Sequence, residues 1–258
     1  MSIKSKVLSV AATLALVGGV GTAGVLGAGT ASAATPSCGI SCINLFSHQF
    51  GSFKSPTYTV DVLRQGEKVG QPIILFRQAN YDPALDWTVA FQGTVADFLA
   101  AGLVSTAVAL HYGCIPNTGA FPTCIFAVND PAFENEYSPF GVESGLCMGV
   151  AATAFNDEGV TLQPCGVSSK TVWILDTYDQ QFNFFSAFKN GVPLINGSDT
   201  NFSQPFVLTY PNDSTPTDKP RPQLVVTNLT GFSNGFGGPQ VGTINSNQLW
   251  GATFGELP

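Results

Sequence analysis

The stretch Gly231-Phe232-Ser233-Asn234-Gly235 matches G-x-S-x-G, a pattern in which a nucleophilic serine stands on a sharp turn between a strand and a helix. A helix must follow that serine, but Gly237-Gly238-Pro239 follows here. A hydrolase of this kind also needs a histidine after the serine, and both histidines, His48 and His111, precede it. We therefore interpret the stretch as a glycine-rich loop.

Carboxylate pairs are the second kind of chemistry that the sequence could offer, because two carboxyl groups can hydrolyse a glycosidic bond between them. The sequence gives no distance between the candidates, and the default interpretation is that they are solvated loop residues: Glu134, Glu136, Asp157, Glu158 and Asp176. Two histidines without a C-x-x-C pattern give little basis for a metal site. We expect a protein that is not an enzyme and that uses no metal and no cofactor.

The elements that must position these residues are mostly short strands. Hydrophobic runs alternate with Gly, Pro, Asn and Asp, which predicts strands at 58–63, 72–76, 104–112, 160–162, 171–175, 206–210 and 224–226. One short helix is predicted at 95–101, with Thr94 as its N-cap and Gly102 as the glycine that ends it. The stretches at 129–137 and 212–222 are predicted surface loops.

The first 33 residues have the pattern of a secretory signal peptide. Lys4 and Lys6 precede an uncharged apolar stretch at 7–29, and Ala31-Ser32-Ala33 matches an A-x-A cleavage site. The apolar stretch is long enough to span a membrane, but its glycines and the cleavage site favour a signal peptide. We expect a secreted, extracellular protein that begins near Ala34 and has no membrane span in its mature form.

Composition limits the classes of partner. The chain has 258 residues, a net charge of −7 and only 10% charged residues. Nucleic acid is not expected as a partner, because phosphate binding needs clustered Lys and Arg. Low charge with many aromatic residues predicts a folded chain rather than a disordered one. No shift in composition marks a boundary, so we predict a single domain at 34–258.

The cysteines indicate disulfides, because the chain has the features of an exported protein. Six cysteines allow fifteen pairings. The simplest of them joins sequence neighbours: Cys38 with Cys42, Cys114 with Cys124, and Cys147 with Cys165.

Three segments of the chain are related to one another. They lie at about 58–89, 146–175 and 223–252, and each has a hydrophobic strand, a turn with glycine and a tryptophan near its end: Trp87, Trp173 and Trp250. Repeats of this kind are supersecondary units that cannot close a core alone. Three of them suggest a closed three-fold arrangement.

The middle segment resembles one repeat of the ricin-type β-trefoil lectins, which read C-x-D-V, a turn, Q-L-W-x-C and then Q-x-W. The matching residues are Cys147-Met148-Gly149-Val150, Leu162-Gln163-Pro164-Cys165 and Thr171-Val172-Trp173. The third segment keeps Gln248-Leu249-Trp250, whereas the first keeps only the spacing, in Tyr58-Thr59-Val60-Asp61-Val62 and Asp86-Trp87.

This resemblance implies an all-β, β-trefoil-like fold and a disulfide between Cys147 and Cys165. Family repeats are near forty residues, so long insertions are expected at about 94–137 and 178–204. A β-sandwich, in which these stretches form independent strands, is the alternative fold.

The resemblance also implies sugar sites, each with a carboxylate or amide just after the first strand of a repeat and an aromatic ring nearby. That key position aligns with Arg64, Ala152 and Asn228, so the first two sites are expected to be lost. The third site is expected to use Asn228, Asn245, Asn247 and Gln248, with Phe232 or Phe236 as the stacking ring. An alternative for Gln248 is that it only satisfies backbone groups within the fold.

The function that this implies is that of a secreted, non-catalytic, carbohydrate-binding protein of the lectin type, with glycans or cell-surface components as partners. The alternative is an extracellular structural, protein-interaction or inhibitor-like protein that binds no sugar.

Overall fold

The computed structural model describes residues 43–52, 54–77, 87–91, 95–111, 132–135, 144–175, 191–199, 204–211, 216, 221–233, 240–241 and 243–254. All of them belong to one compact unit, Thr35–Pro258. The predicted signal peptide lies outside the described residues, so it stays a prediction. Within these residues, no helix has the length and apolarity that a membrane crossing needs.

Short strands dominate the described part of the chain. They are β1 (Ile43–Ser47), β2 (Tyr58–Val62), β3 (Ile73–Arg77), β4 (Trp87–Phe91), β5 (Ala132–Asn135), β6 (Leu146–Val150), β7 (Glu158–Pro164), β8 (Trp173–Leu175), β9 (Leu194–Asn196), β10 (Phe206–Thr209), β11 (Val225–Asn228), β12 (Phe232–Ser233), β13 (Gln240–Val241) and β14 (Trp250–Phe254). Two short helices, α1 (Val95–Ala100) and α2 (Thr106–His111), lie between β4 and β5.

The strands form three units of four. Unit 1 is β1 to β4, unit 2 is β5 to β8, and unit 3 is β9, β10, β11 and β14. The two middle strands of each unit make a hairpin, and the first and last strands pair across units, β1 with β14 and β4 with β5. The hairpins meet one another where β7 pairs with β11 and where Ile74 bridges Gln223. The fold is therefore all-β and β-trefoil-like, as the sequence predicts.

One tryptophan anchors each unit, and all three are fully buried. Each indole donates a hydrogen bond to a backbone carbonyl in the first strand of its unit's hairpin: Trp87 to Val60 at 3.1 Å, Trp173 to Met148 at 2.9 Å, and Trp250 to Leu208 at 2.8 Å. In unit 3 this strand is β10, whereas the sequence alignment of the third segment begins at Gln223. The equivalent strand of the third unit therefore lies one strand earlier than the alignment places it.

Strands of units 2 and 3 are buried on both faces, because side chains alternate along a strand. Trp173 faces the main core, whereas Ile174 and Val207 pack in a second cluster with Phe98 and Val108 from the two helices. The helices thus cover the outside of β8 to β10, which explains the continuous apolar runs in these strands.

The helix predicted at 95–101 is confirmed as α1, and Gly102 follows it with a φ of 74°, a conformation that favours glycine. Its predicted N-cap, Thr94, lies outside the described residues. The strand predicted at 104–112 is wrong, because Thr106–His111 forms α2. The Ser105 hydroxyl accepts a hydrogen bond from the Val108 backbone N–H at 3.3 Å, so a capped helical turn replaces the strand.

The loop predicted at 129–137 is also wrong in part, because Ala132–Asn135 forms β5 and pairs with β4. A strand at this place is needed to continue the sheet from unit 1 into unit 2, a long-range requirement that local turn residues do not report. The strands β5 and β9 both lie inside stretches that the sequence alignment treated as insertions. The other six predicted strands overlap observed strands.

The disulfide between Cys147 and Cys165 is confirmed, and it joins the start of β6 to the residue after β7. The other four cysteines, Cys38, Cys42, Cys114 and Cys124, lie outside the described residues, so their pairing stays a prediction.

Candidate functional site

The tryptophan bonds identify equivalent positions in the three units without reference to sequence similarity. In the first hairpin strand of each unit, the residue after the carbonyl that accepts the tryptophan bond has its side chain on the face away from the core. Its diagonal neighbour on that face, in the second hairpin strand, is the residue that pairs with the one before this carbonyl. We call these two positions the outer pair of a unit: Asp61 and Phe76 in unit 1, Gly149 and Gln163 in unit 2, and Thr209 and Thr227 in unit 3.

The outer pair of unit 3 is occupied by the protein's own amide. Gln248 is 1% exposed, and its Nε2 lies 3.3 Å from Thr209 Oγ1, 3.0 Å from Thr227 Oγ1 and 2.9 Å from the Asn228 carbonyl. Its Oε1 accepts hydrogen bonds from the Thr230 N–H and hydroxyl, both at 2.9 Å. Both ends of the Gln248 amide are therefore used inside the fold, which supports the alternative interpretation of this residue.

The three asparagines predicted to bind sugar lie near this network. Asn228 and Asn245 are exposed. Asn247 is half-buried, and its Nδ2 donates to the Tyr210 carbonyl at 3.0 Å, while its Oδ1 is buried without a hydrogen-bond partner. The structure thus brings the asparagines to one region but leaves sugar binding by them a prediction.

Phe232 and Ser233 form β12, which pairs with β13 in a separate two-stranded sheet. Ser233 pairs with Gln240 in this hairpin, so it does not stand at the turn between a strand and a helix that a nucleophilic serine needs. The described residues do not include the Phe232 side chain, so its role as a stacking ring stays a prediction.

The outer pair of unit 2 is closed by backbone. A Cβ atom on Gly149 would lie 2.7 Å from the Lys170 carbonyl oxygen and 2.8 Å from Thr171 Cγ2. Only glycine therefore allows the short helical turn Ser169–Thr171 to pack against β6. No room is left at this position for a ligand group.

Arg64 and Ala152, which the sequence aligned with the key polar position, both lie beyond the ends of their strands. Arg64 is exposed, with a φ of 57°, in a short helical turn after β2. Ala152 is exposed, and its N–H donates to Glu158 Oε1 at 2.8 Å, so that carboxylate holds the loop that follows β6.

The outer pair of unit 1 combines a carboxylate with an aromatic ring. Asp61 is 4% exposed and has an interaction of its own within the protein. Phe76 is half-buried, and the Arg221 guanidinium carbon lies 3.7 Å from the centre of its ring. Within the three outer pairs, unit 1 alone has an ionisable side chain and a ring on the same face of its hairpin.

Sequence reasoning missed this pair because it placed the key position at Arg64, three residues after Asp61. The available signal was the charge itself: an aspartate stands between two core valines, Val60 and Val62, inside a predicted strand. Charged residues are rarely fully buried unless they are paired, so such a position deserves inspection. Arg221 gave no signal, because its contact with Phe76 joins residues that are far apart in the chain.

Comparisons with known proteins find solved structures that are similar to this chain at low identity. No protein-family model matches the chain, and no curated protein sequence is similar to it. The designed three-fold symmetric protein ThreeFoil is similar with a TM-score of 0.44 and 11% identity, over 82% of this chain and 97% of that chain.

Two natural proteins are similar over part of their length. A lectin from Polyporus squamosus gives a TM-score of 0.42 and 12% identity, over 84% of this chain and 49% of the lectin. The exo-β-1,3-galactanase 1,3Gal43A from Clostridium thermocellum gives 0.45 and 10%, over 86% of this chain and 31% of the enzyme. This chain therefore spans less than half of either protein.

Proposed function

We propose that the protein is a secreted, non-catalytic carbohydrate-binding protein, and that its site is the outer pair of unit 1. The observation that carries the proposal is the position of Asp61 and Phe76 on one face of the β2–β3 hairpin, with Arg221 over the ring. A carboxylate accepts hydrogen bonds from sugar hydroxyls, and the part of the ring that Arg221 leaves uncovered can pack against the apolar C–H groups of a sugar.

The other two units support this choice by contrast. Gly149 has no side chain with which to bind a ligand, and backbone already fills the space around it. Thr209 and Thr227 bond to each other at 2.7 Å and to Gln248, so their hydroxyls are engaged. Unit 1 is therefore the place in which the outer pair has the chemistry of a sugar site.

A binding role is favoured over catalysis, because the outer pair of unit 1 supplies one carboxylate and glycoside hydrolysis uses two. Secretion is supported by the signal-peptide pattern at 1–33 and by the Cys147–Cys165 disulfide, since disulfides persist in oxidising compartments.

A protein-interaction role without sugar binding is the second candidate. Among the described residues, three large apolar side chains are exposed, Val69 at 56%, Phe155 at 55% and Val167 at 74%. Exposed apolar side chains that form a contiguous patch can bind a protein partner.

A glycan array on the mature protein, followed by calorimetry on any saccharide that binds, tests the proposal. Asp61→Asn removes hydrogen bonds to a charged group, worth about 1.5–3 kcal/mol, so affinity should fall about 10- to 100-fold. Phe76→Leu removes ring packing worth about 0.5–1.5 kcal/mol and should weaken binding about 2- to 10-fold.

Gln163→Leu is the matched control, because Gln163 occupies the Phe76 position in unit 2 and its loss should leave affinity unchanged. A thermal midpoint for each variant separates lost binding from lost folding. Binding that survives both unit 1 variants would place the site elsewhere, and an array without any bound glycan would favour the protein-interaction candidate.

A further inference from the structure

The Arg221 side chain stacks on an aromatic ring, and within the described residues it has no acidic partner. Its guanidinium lies 3.7 Å from the centre of the Phe76 ring, and within the described residues no acceptor lies in hydrogen-bonding distance of it. The chain has 17 acidic and 10 basic residues, so acidic side chains are in excess. An arginine that is half-buried and stacked, and that has no acceptor among the described residues, has donors that a ligand can use.

The stacked position fixes the geometry of those donors. A guanidinium presents five N–H groups in a planar fork that matches the two oxygens of a carboxylate or sulfate. Packing against the ring restricts the side chain before any ligand arrives, so less rotational freedom is lost when it binds. The cation–π contact leaves the edge of the guanidinium plane for the ligand.

Asp61 determines which part of a ligand can approach Arg221. The carboxylate repels an anionic group, whereas it accepts hydrogen bonds from neutral hydroxyls. On the β2–β3 hairpin, Asp61 pairs with Ile74 and lies one diagonal step from Phe76, over which Arg221 lies. A bound saccharide would therefore place hydroxyls at Asp61 and its anionic group at Arg221.

We infer that this site takes an acidic saccharide, whose carboxylate or sulfate is bound by the Arg221 guanidinium. The inference rests on the proposed carbohydrate function of the same site and adds the class of ligand to it. Arg221 is then the residue that determines specificity, while Asp61 and Phe76 bind features that neutral sugars share.

Arg77 provides a matched control for the charge. It follows Phe76 directly in β3, so alternation turns its side chain to the opposite face of the hairpin, where it pairs across from Tyr58. It is exposed. Removal of Arg77 changes the net charge as much as removal of Arg221 does, but it leaves the outer face unaltered.

The test uses an array of saccharide pairs that share a sugar ring: glucuronate with glucose, galacturonate with galactose, and 6-sulfogalactose with galactose. Calorimetry on the best pair then compares wild type with Arg221→Gln, Arg221→Lys and Arg77→Gln. We expect the acidic member to bind about 10- to 100-fold more tightly than the neutral one, as hydrogen bonds between charged groups predict. Added salt should weaken the acidic member selectively.

Arg221→Gln should abolish this preference and leave neutral binding within about threefold of wild type, since it removes only the charged interaction. Arg221→Lys should keep part of the preference for the acidic saccharide, because lysine keeps the positive charge but lacks the planar set of N–H donors. Comparison of the carboxylate pairs with the sulfate pair shows which anion the guanidinium prefers.

Equal binding of acidic and neutral members, or a preference that survives Arg221→Gln, would overturn the inference while the proposed carbohydrate function stands. An equal loss in Arg77→Gln would show that only net charge matters, which also overturns it. The absence of binding to any saccharide would instead reject the proposed function, and the inference with it.

Discussion

Units 1 and 3 share the same anchor but use the face opposite it in different ways. In both, a buried tryptophan donates to a carbonyl in the first hairpin strand, at Val60 and at Leu208. The residue after that carbonyl is Asp61 in unit 1 and Thr209 in unit 3. The core side of the hairpin thus follows three-fold symmetry, while the outer side does not, because packing against the common core restrains only the former.

The two outer pairs also differ in the chemical groups that they present. In unit 3 the Gln248 amide bonds to threonine hydroxyls and backbone, so buried polar groups satisfy one another and the site is closed. In unit 1 the corresponding position holds an almost completely buried aspartate, which has an interaction of its own within the protein. Its side chain brings a charged group to a face where unit 3 has neutral hydroxyls, and this difference is what the proposed binding role uses.

The largest expected effect lies in the part that the units share. Trp173→Ala removes a fully buried indole and its bond to Met148, which should lower the free energy of unfolding by about 3–5 kcal/mol. A domain of this size has only about 5–15 kcal/mol in total, so the thermal midpoint should fall sharply. Denaturant unfolding of Trp87→Ala and Trp250→Ala should show losses of the same size.

Val167→Ala is the control for this series, because Val167 is 74% exposed and its truncation should leave stability unchanged. An unchanged midpoint in Trp173→Ala would contradict the equivalence of the three units.

The second effect concerns the closed outer pair of unit 3. Gln248→Ala removes hydrogen bonds and leaves the buried hydroxyl of Thr209 with fewer partners, which should cost about 1–3 kcal/mol of unfolding free energy. Saccharide affinity should not change, because the proposed site lies in unit 1. Gln163→Ala, which removes a single bond to the Thr161 hydroxyl, should cost less. A variant that is stable but no longer binds saccharide would place the ligand at Gln248.

The sequence predicts the repeated parts of the fold well, because they depend on local patterns. The three tryptophans, six of the seven predicted strands, α1 and the Cys147–Cys165 disulfide all follow from spacing and turn residues. The stretches that form β5 and α2 were predicted wrongly, as a loop and as a strand. Strand β5 forms because β4 needs a partner, and helix α2 forms because Ser105 caps an alanine-rich turn.

The candidate site was less predictable, because it depends on which residues face each other across strands. The alignment of the third segment started one strand late, so it selected Asn228 instead of a residue after β10. The placement of Asp61 and Phe76 as diagonal neighbours on one face depends on the register of β2 with β3, in which Thr59 pairs with Phe76 and Asp61 with Ile74. Hydrophobic patterns predict that a strand exists but leave its register to tertiary structure.

A smaller effect on stability is expected at a second position where the units differ. This position lies two residues after the carbonyl that accepts the tryptophan bond. Val62 and Val150 occupy this core position in units 1 and 2, whereas unit 3 has Tyr210, whose buried hydroxyl has no hydrogen-bond partner among the residues that the structure describes. Tyr210→Phe removes an unsatisfied group, so the free energy of unfolding should rise by about 1 kcal/mol. Tyr58→Phe, at a half-buried tyrosine, is the control and should change stability less.

Burial, together with the nearby Tyr58, raises the pKa of Tyr210 above its usual value. Above about pH 10 the unfolded chain releases a proton that the folded protein keeps, so this group lowers stability as the pH rises further, and it has no effect at neutral pH. Unfolding followed against pH should show a smaller alkaline loss for Tyr210→Phe than for wild type. A variant that is less stable at neutral pH would show that the hydroxyl does have a partner.

The smallest expected effect tests the site that the sequence alignment favoured against the site in unit 1. The Asn228 side chain is exposed at the end of β11, while its carbonyl accepts the bond from Gln248. Asn228→Ala keeps that backbone carbonyl, so the hydrogen bonds of Gln248 should persist and the thermal midpoint should be unchanged. If saccharide binds in unit 1, calorimetry should give an affinity within about twofold of wild type. A loss of about threefold to tenfold, the value of one neutral hydrogen bond, would instead assign the ligand to unit 3. Phe76→Leu, measured in the same series, should weaken saccharide binding if the site lies in unit 1 and leave it unchanged if the site lies in unit 3. The two variants together therefore decide between the two units.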